Sequence, residues 1–317
     1  MTKTTKTILK EHQIRKTKKQ KREFLEYLKT VTNDLGYTYK VQKGALGVRN
    51  FVVGNPNTAK IVCTAHYDTC ASLPFPNIAT PKHISIYLLY QFAIVAVALV
   101  AFFLVTFLSA FTAGIIARYI GGSVDVAVDA ALNLSDILLL VFCALLIIGP
   151  ANKHNANDNT SGVTTLIDLM HKLPEDKKDQ VAFVFFDLEE AGLIGSRAFN
   201  KKYKKEMKNK LLLNFDCVSD GNNILFAMRK NAEKYRDVIE KSFITNDEYN
   251  VFIESKGVFY PSDQLHFPCG VGVAALNKTK KGDILYCDKI HTKKDTIYNE
   301  DNIKFLVDRT IKLIESI

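Results

Sequence analysis

Residues 180–196 read QVAFVFFDLEEAGLIGS, and the stretch changes character half-way along. Gln180–Phe186 is apolar on both of its alternating sets and rich in Val and Phe, as a strand buried on both faces of a sheet must be. It stops abruptly at Asp187, Glu189 and Glu190, then runs through Gly192 and Gly195. Three acids directly beyond a buried strand invite a cation, although acids also suit the first turn of a following helix.

Similar apolar runs lie on either side. Lys60–Ala65, Lys210–Phe215, Asn250–Glu254 and Val271–Leu276 read as strands, with shorter candidates at Tyr37–Gln42 and Phe51–Val53. Lys60–Ala65 is apolar enough to sit at the sheet centre. Residues 7–34, the segment from Thr160 (TSGVTTLIDLMHKL) and Asn302–Ile317 have helical apolar spacing. Alternating strands and helices predict an α/β fold, with a mixed, largely parallel central sheet flanked by helices.

One segment breaks that pattern. Ile84–Ala117 holds no charged residue, and a second apolar run covers Ile137–Gly149. As helix the first would extend about 51 Å, whereas a bilayer core needs only about 20 residues. Residues 84–150 are therefore expected to form an inserted transmembrane helical hairpin, the alternative being an apolar lid or dimer contact. Two crossings return the chain to the side it left. That is required if residues before the insert (His66, Asp68) and after it (Asp158) serve one site. Lys82 and Lys153 flank the insert while Asp125 and Asp129 lie in its connection. This bias places the rest of the chain, residues 23–83 and 151–317, in the cytoplasm.

The formal charge is +9. Residues 1–22 form a basic N-terminal arm with nine Lys or Arg against Glu11. Such an arm is either a solvated helix face or an attractor of anionic surfaces. It lacks interleaved aromatics and any recognised module, so no specific nucleic acid is expected. The six cysteines contain no CxxC pair, and no signal peptide precedes them. They read as reduced thiols rather than disulfides or a zinc knuckle.

The remaining chemistry sits in short segments. His66-Tyr67-Asp68 ends a buried strand, and its first and third side chains point the same way. Asp158 opens a helix, where capping alone would explain it. Glu189 and Glu190 follow the strand quoted above. Asp216 follows Asn214-Phe215 at another strand end, and His291 lies in a late loop. Each has a simpler structural explanation on its own. Together they supply imidazole and carboxylate ligands after strands of one sheet, which suits a hydrolytic zinc site, with manganese or cobalt as alternatives.

In order along the chain, these segments resemble the zinc aminopeptidase family of bacterial leucyl aminopeptidase, aminopeptidase Y and glutamate carboxypeptidase-like enzymes. The pattern is His-x-Asp, an Asp before a small-residue helix, Glu-Glu-x-Gly-Leu-x-Gly-Ser, Asn-x-Asp and a late His. EEAGLIGSRAF is its most specific part. Pro261–Phe267 also looks like the family's Ser-Asp-His-x-x-Phe segment, with Gln264 where a His is usual. The resemblance covers about residues 20–75 and 151–317.

It implies two Zn2+ per chain, one held by His66 and Asp216, the other by Glu190 and His291, with Asp158 bridging. It also implies Glu189 as general base, Asp68 orienting His66, and an aminopeptidase acting on a peptide substrate. Two other readings remain at this stage. One is another amidohydrolase or a glutaminyl-cyclase-like enzyme of the same fold. The other is a catalytically silent membrane protein that uses the domain for interaction.

Overall fold

The structure, a computed structural model, describes residues 1–317 apart from the side chain of Ile147. It divides into two compact units, Met1–Ile84 with Ala151–Ile317, and Ser85–Pro150.

The first unit is built on one nine-stranded sheet. Its strands are β1 (Tyr39–Lys43), β2 (Arg49–Val53), β3 (Ile61–His66), β4 (Val181–Phe186), β5 (Leu211–Phe215), β6 (Asn223–Met228), β7 (Asn250–Glu254), β8 (Gly270–Lys278) and β9 (Leu285–Tyr286). They lie in the order β1-β2-β4-β3-β5-β8-β6-β7, with β9 on β8. The middle strands β4, β3, β5 and β8 run parallel, and antiparallel pairings flank them. β3 is central and wholly buried, as its composition predicts.

Alternation along the strands feeds two cores. Ile61, Cys63 and Ala65 of β3 and Phe183 and Phe185 of β4 face one cluster. There they meet Phe24, Leu28, Val163, Leu166, Ile239 and Leu306 from α2 (Lys18–Asp34), α5 (Gly162–Lys172), α7 (Arg236–Ser242) and α8 (Glu300–Glu315). Val62, Val184 and Phe186 face the other cluster, with Phe199 of α6 (Ile194–Lys202) and Phe267. Burying each such side chain contributes about 1.5–3 kcal/mol, so the two-faced β3 and β4 anchor the unit.

Two details depart from the sequence expectation. The basic stretch 7–34 is not one helix. α1 (Lys3–Glu11) stops, and α2 restarts behind a capping box of Thr17 and Gln20. Between them Arg15 turns inward and is completely buried. Strand β6 lies outside the strands the sequence predicts, because NILFAM is a short apolar run without helical or strand period of its own, and it forms by pairing with β7 and β8.

The second unit is two helices, α3 (Ile84–Tyr119) and α4 (Val124–Ile148), joined by a short turn at Gly121 and Gly122. α3 is 36 residues long; its most apolar 18-residue stretch has a mean hydropathy of 2.8, and nothing in that stretch is buried. The helices approach closely where residues are small. Ser109 and Ser135 hydroxyls lie 3.4 Å apart, and Gly114 faces Val124 and Val128.

Candidate metal centre

Strands β3, β4 and β5 are parallel and nearly in register, with His66 opposite Phe186 and Thr64 opposite Asn214. They therefore stop at one edge of the sheet. Loops leaving the carboxyl ends of parallel strands are where ligand sites form in such sheets. His66 ends β3, Glu189 and Glu190 follow β4, and Asp216 follows β5. Asp158 reaches the same edge from the turn at 156–161 ahead of α5, and His291 from the loop between β9 and α8.

The local backbone is shaped to present these groups. Leu188, Cys217 and His291 have φ of 56°, 55° and 60°, a region that costs energy for residues with a Cβ and persists where tertiary structure enforces it. Two glycines of the acidic motif have separate reasons. Gly192 has φ 103°, and a Cβ on Gly195 would meet the Asp187 carbonyl at 2.1 Å. The turn therefore closes only with glycine at both positions.

The resulting geometry brings all the expected metal-binding residues together. His66 Nε2 lies 3.2 Å from Asp158 Oδ1 and 3.5 Å from Asp216 Oδ1. His291 Nε2 lies 2.9 Å from Asp158 Oδ2 and 3.2 Å from Glu190 Oε2. Asp158 thus turns one oxygen to each histidine. Ligand atoms bonded at about 2.0–2.1 Å to one tetrahedral zinc sit about 3.3 Å apart, which is the spacing found. Glu190 Oε1 is buried and has no hydrogen-bond partner, so it retains a free lone pair for an ion. Oxygen and imidazole donors suit zinc, and the residues fit it.

Asp68 acts differently from the simplest expectation. The His66 Nδ1 faces the backbone carbonyl of Asp68 at 3.1 Å, while the Asp68 carboxylate is 3.7 Å away. The main chain therefore fixes the ring, leaving Nε2 for metal. The carboxylate instead accepts the backbone N–H groups of Glu189 (3.0 Å) and Glu190 (3.2 Å).

Other residues at the site lie outside the expected metal-binding and catalytic set. Asp295 is buried and accepts the N–H groups of Asn157 (2.7 Å) and Asp158 (3.0 Å), which fixes the backbone that carries the Asp158 carboxylate. Burial and the Asp158 charge push its carboxyl up to about 8. Asp263 is fully buried, and burial pushes it up to about 7 although His66 pulls the other way. Cys70 joins Glu190 and His291 in a group whose ligand atoms lie within 4.8 Å of one another. Burial, then Glu190 and Asp158, raise its thiol well above the usual range, so without metal it stays protonated.

Beneath the centre, Arg15 donates from Nε to the Tyr67 carbonyl and from Nη1 to Thr160 Oγ1 at 3.1 Å. It thereby ties the loop carrying His66 to the turn carrying Asp158. Burial lowers its guanidinium to about 10, with Asp68 and Asp158 opposing, so it is a cation at neutral pH.

Excess acid defines the electrostatics. Burial alone would lower both histidines, but Glu189, Asp158, Asp216 and Asp68 lift His66 well above its ordinary value, and Glu190 and Asp158 lift His291. Without cations the cluster holds protons instead.

A family model described as Peptidase family M28 matches residues 145–308, more than half of the chain. The chain belongs to peptidase family M28. Membership makes this M28 chain a hydrolase of the peptidase class, and its carboxylate–imidazole cluster is one that could hold a metal ion. Solved structures show the same fold. LapA aminopeptidase of Legionella pneumophila aligns over 98% of this chain and 69% of its own, at 12% identity and a TM-score of 0.56. A glutaminyl cyclase of Porphyromonas gingivalis aligns over 99% and 97%, at 12% and 0.58. A leucine aminopeptidase precursor of Bacteroides thetaiotaomicron aligns over 98% and 95%, at 14% and 0.53. No curated protein matches the M28 chain significantly. At such identities the likeness is one of fold, shared by aminopeptidases and cyclases alike.

Proposed function

We propose that this M28 chain is an aminopeptidase that uses two zinc ions, with Glu189 as general base. His66 and Asp216 would hold one ion, Glu190 and His291 the other, and Asp158 both. The observation that carries the reading is the orientation of Asp158, whose two oxygens face different histidines at 3.2 and 2.9 Å. When bound, such an ion pair polarises a scissile carbonyl and makes water a better nucleophile at neutral pH.

The chain's own residues do the rest. Glu189 takes a proton from the attacking water and returns it to the departing amine. Burial raises its carboxyl well above the ordinary value; His66 opposes, while Glu190, Asp263 and Asp216 add to the rise. A carboxylate shifted toward neutrality is a more effective base than an ordinary one. Asp68, by gripping both backbone amides, keeps the base and a metal ligand in one rigid unit. A free substrate amine is attracted by the surplus of buried carboxylates.

Metal analysis together with a substrate panel tests this. Two zinc ions per chain and turnover of aminoacyl anilides are expected. His291→Ala should lose one ion. One ion in the parent chain, with cyclisation of N-terminal glutamine and no anilide turnover, would replace the proposal by a cyclase.

We also propose that residues 84–150 anchor the chain in a bilayer as a two-helix hairpin, with the peptidase unit cytoplasmic. Support comes from two apolar helices of 36 and 23 residues in their candidate spans. In intact cells, a cysteine placed by Gly122→Cys should react with an impermeant maleimide, and one placed by Lys201→Cys should not. The opposite labelling would invert the topology.

A further inference from the structure

A second pocket lies beside the metal centre and has the opposite charge. It is about 480 Å3 in volume, and its charged lining is Lys16, Lys18, Lys21, Arg22, Arg49 and Asp187. Five cations face one carboxylate, a net +4. That carboxylate is already engaged: Asp187 pairs with Lys21 at 2.7 Å and accepts the backbone N–H groups of Arg49 (2.9 Å) and Leu188 (3.0 Å). Among the described residues, no carboxylate pairs with Lys18, Arg22 or Arg49.

Helix α2 makes the imbalance worse. Its first turn holds Lys18, Lys19 and Lys21 and no acid. The amino end of a helix carries partial positive charge, so cations there are unfavourable and anions favourable. Three independent features therefore converge on one concavity. They are an excess of side-chain cations, the positive end of a 17-residue helix and a volume typical of small-ligand sites.

We propose that this pocket binds a phosphorylated anion bearing two or more negative charges. Arg22 and Arg49 offer two guanidinium forks, whose geometry matches phosphate oxygens better than lysine does. The helix end adds the environment in which phosphates are commonly held. A single carboxylate would leave most of the charge of Lys18, Arg22 and Arg49 uncompensated. The pocket shares none of the proposed metal-binding residues. Its walls include Tyr67, between His66 and Asp68, and Leu188, next to Glu189, so a bound anion would rest against the loops of the metal centre. The same phosphate chemistry could come from a lipid headgroup or from a soluble phosphate.

The test uses the full chain in neutral detergent, with its metal content checked. Binding of pyrophosphate, of an inositol trisphosphate and of a short-chain phosphoinositide bisphosphate is measured calorimetrically, with short-chain phosphatidylcholine as the blank. Saturable binding of at least one phosphorylated probe is expected, and the double variant Arg22→Gln/Arg49→Gln should weaken it by about tenfold or more at unchanged metal content, consistent with loss of two charge-assisted contacts. Binding of the soluble probes would identify a free phosphate as the ligand type. Binding of the lipid probe alone would identify a headgroup. No saturable binding of any phosphorylated probe, full binding by the double variant, or an equal loss in the control Lys201→Gln/Lys202→Gln, whose residues do not line the pocket, would overturn the proposal.

Discussion

The two units of this chain break the ordinary rule of burial in opposite directions. In the sheet unit, Asp158, Asp263 and Asp295 are 4%, 0% and 1% exposed, although aspartate is seldom fully buried without a partner. In the hairpin, Val97, Phe103 and Phe107 are 70%, 64% and 66% exposed, although contiguous apolar surface of that extent is rare on a protein in water. Each anomaly names a missing companion. Buried carboxylates call for cations, and exposed hydrocarbon calls for an apolar medium. On the proposed reading the sheet unit takes metal and the hairpin takes a bilayer, so the two should respond to different perturbations.

The largest effect is expected at Glu189, the proposed base, which lies outside the proposed set of metal-binding residues. Glu189→Gln should reduce turnover by about 10²- to 10⁴-fold, the usual worth of a general base. Zinc content should stay at the parental value. A variant that retained near-normal turnover would remove Glu189 from the role, and one that lost its zinc would make it a ligand instead.

Metal removal comes next and acts on the sheet unit alone. An ion present at about a thousand times its dissociation constant adds about 4 kcal/mol of stability. The pH dependence sharpens the comparison. Asp295 and Asp263 are raised from an ordinary 3.8 to about 8 and about 7, and His66 and His291 are raised as well. A group with a raised folded pKa stabilises fully below its unfolded value and loses that contribution as pH climbs through the folded one. Between pH 5.5 and 8 the chelated protein should therefore lose stability. Over the same range the loaded protein gains affinity for metal as its ligands deprotonate. The gap in melting temperature between the two should widen with pH. A gap that stayed constant or narrowed would mean that the acid cluster is not relieved by metal.

The hairpin half is broken by charge. The pair Val97→Arg and Phe107→Arg leaves no stretch of about 20 residues in α3 free of a central cation. In a bilayer each arginine near the helix centre should cost about 2.5–3.5 kcal/mol, and the pair should shift the chain out of the alkali-resistant membrane fraction, with zinc binding unchanged. For a hairpin exposed to water, arginine at such positions changes stability by less than about 0.5 kcal/mol, and fractionation would not move.

Physical reasons separate what the sequence discloses from what it hides. β3, β4 and β5 are legible because strands buried on both faces must be apolar throughout, so a charge marks their ends. Those ends carry His66, Glu189, Glu190 and Asp216. The hairpin is legible because its apolar run exceeds anything a core helix needs. Asp295 is illegible because a loop aspartate that accepts two amides looks like any solvated one until the chain folds. β6 is illegible because its neighbours, not its own pattern, determine it. The break in the first helix is hidden because Thr17 and Gln20 form a cap without any Gly or Pro to mark it.

Arg15 is the extreme case, one cation among nine in the arm, and it carries the smallest predicted effect. It is the one buried charge of the arm, and it joins two loops that bear proposed metal-binding residues. Arg15→Met keeps most of the volume but leaves the Tyr67 carbonyl without its buried donor, a loss of about 1–3 kcal/mol in stability. Because the lost bonds hold the loops behind His66 and Asp158, zinc affinity should also fall by about 10- to 100-fold, as for other residues that orient ligands. A loss of stability with zinc affinity unchanged would confine Arg15 to folding. A loss of affinity would make the basic arm part of the metal centre's scaffold, tied there by the one cation that the arm does not present to solvent.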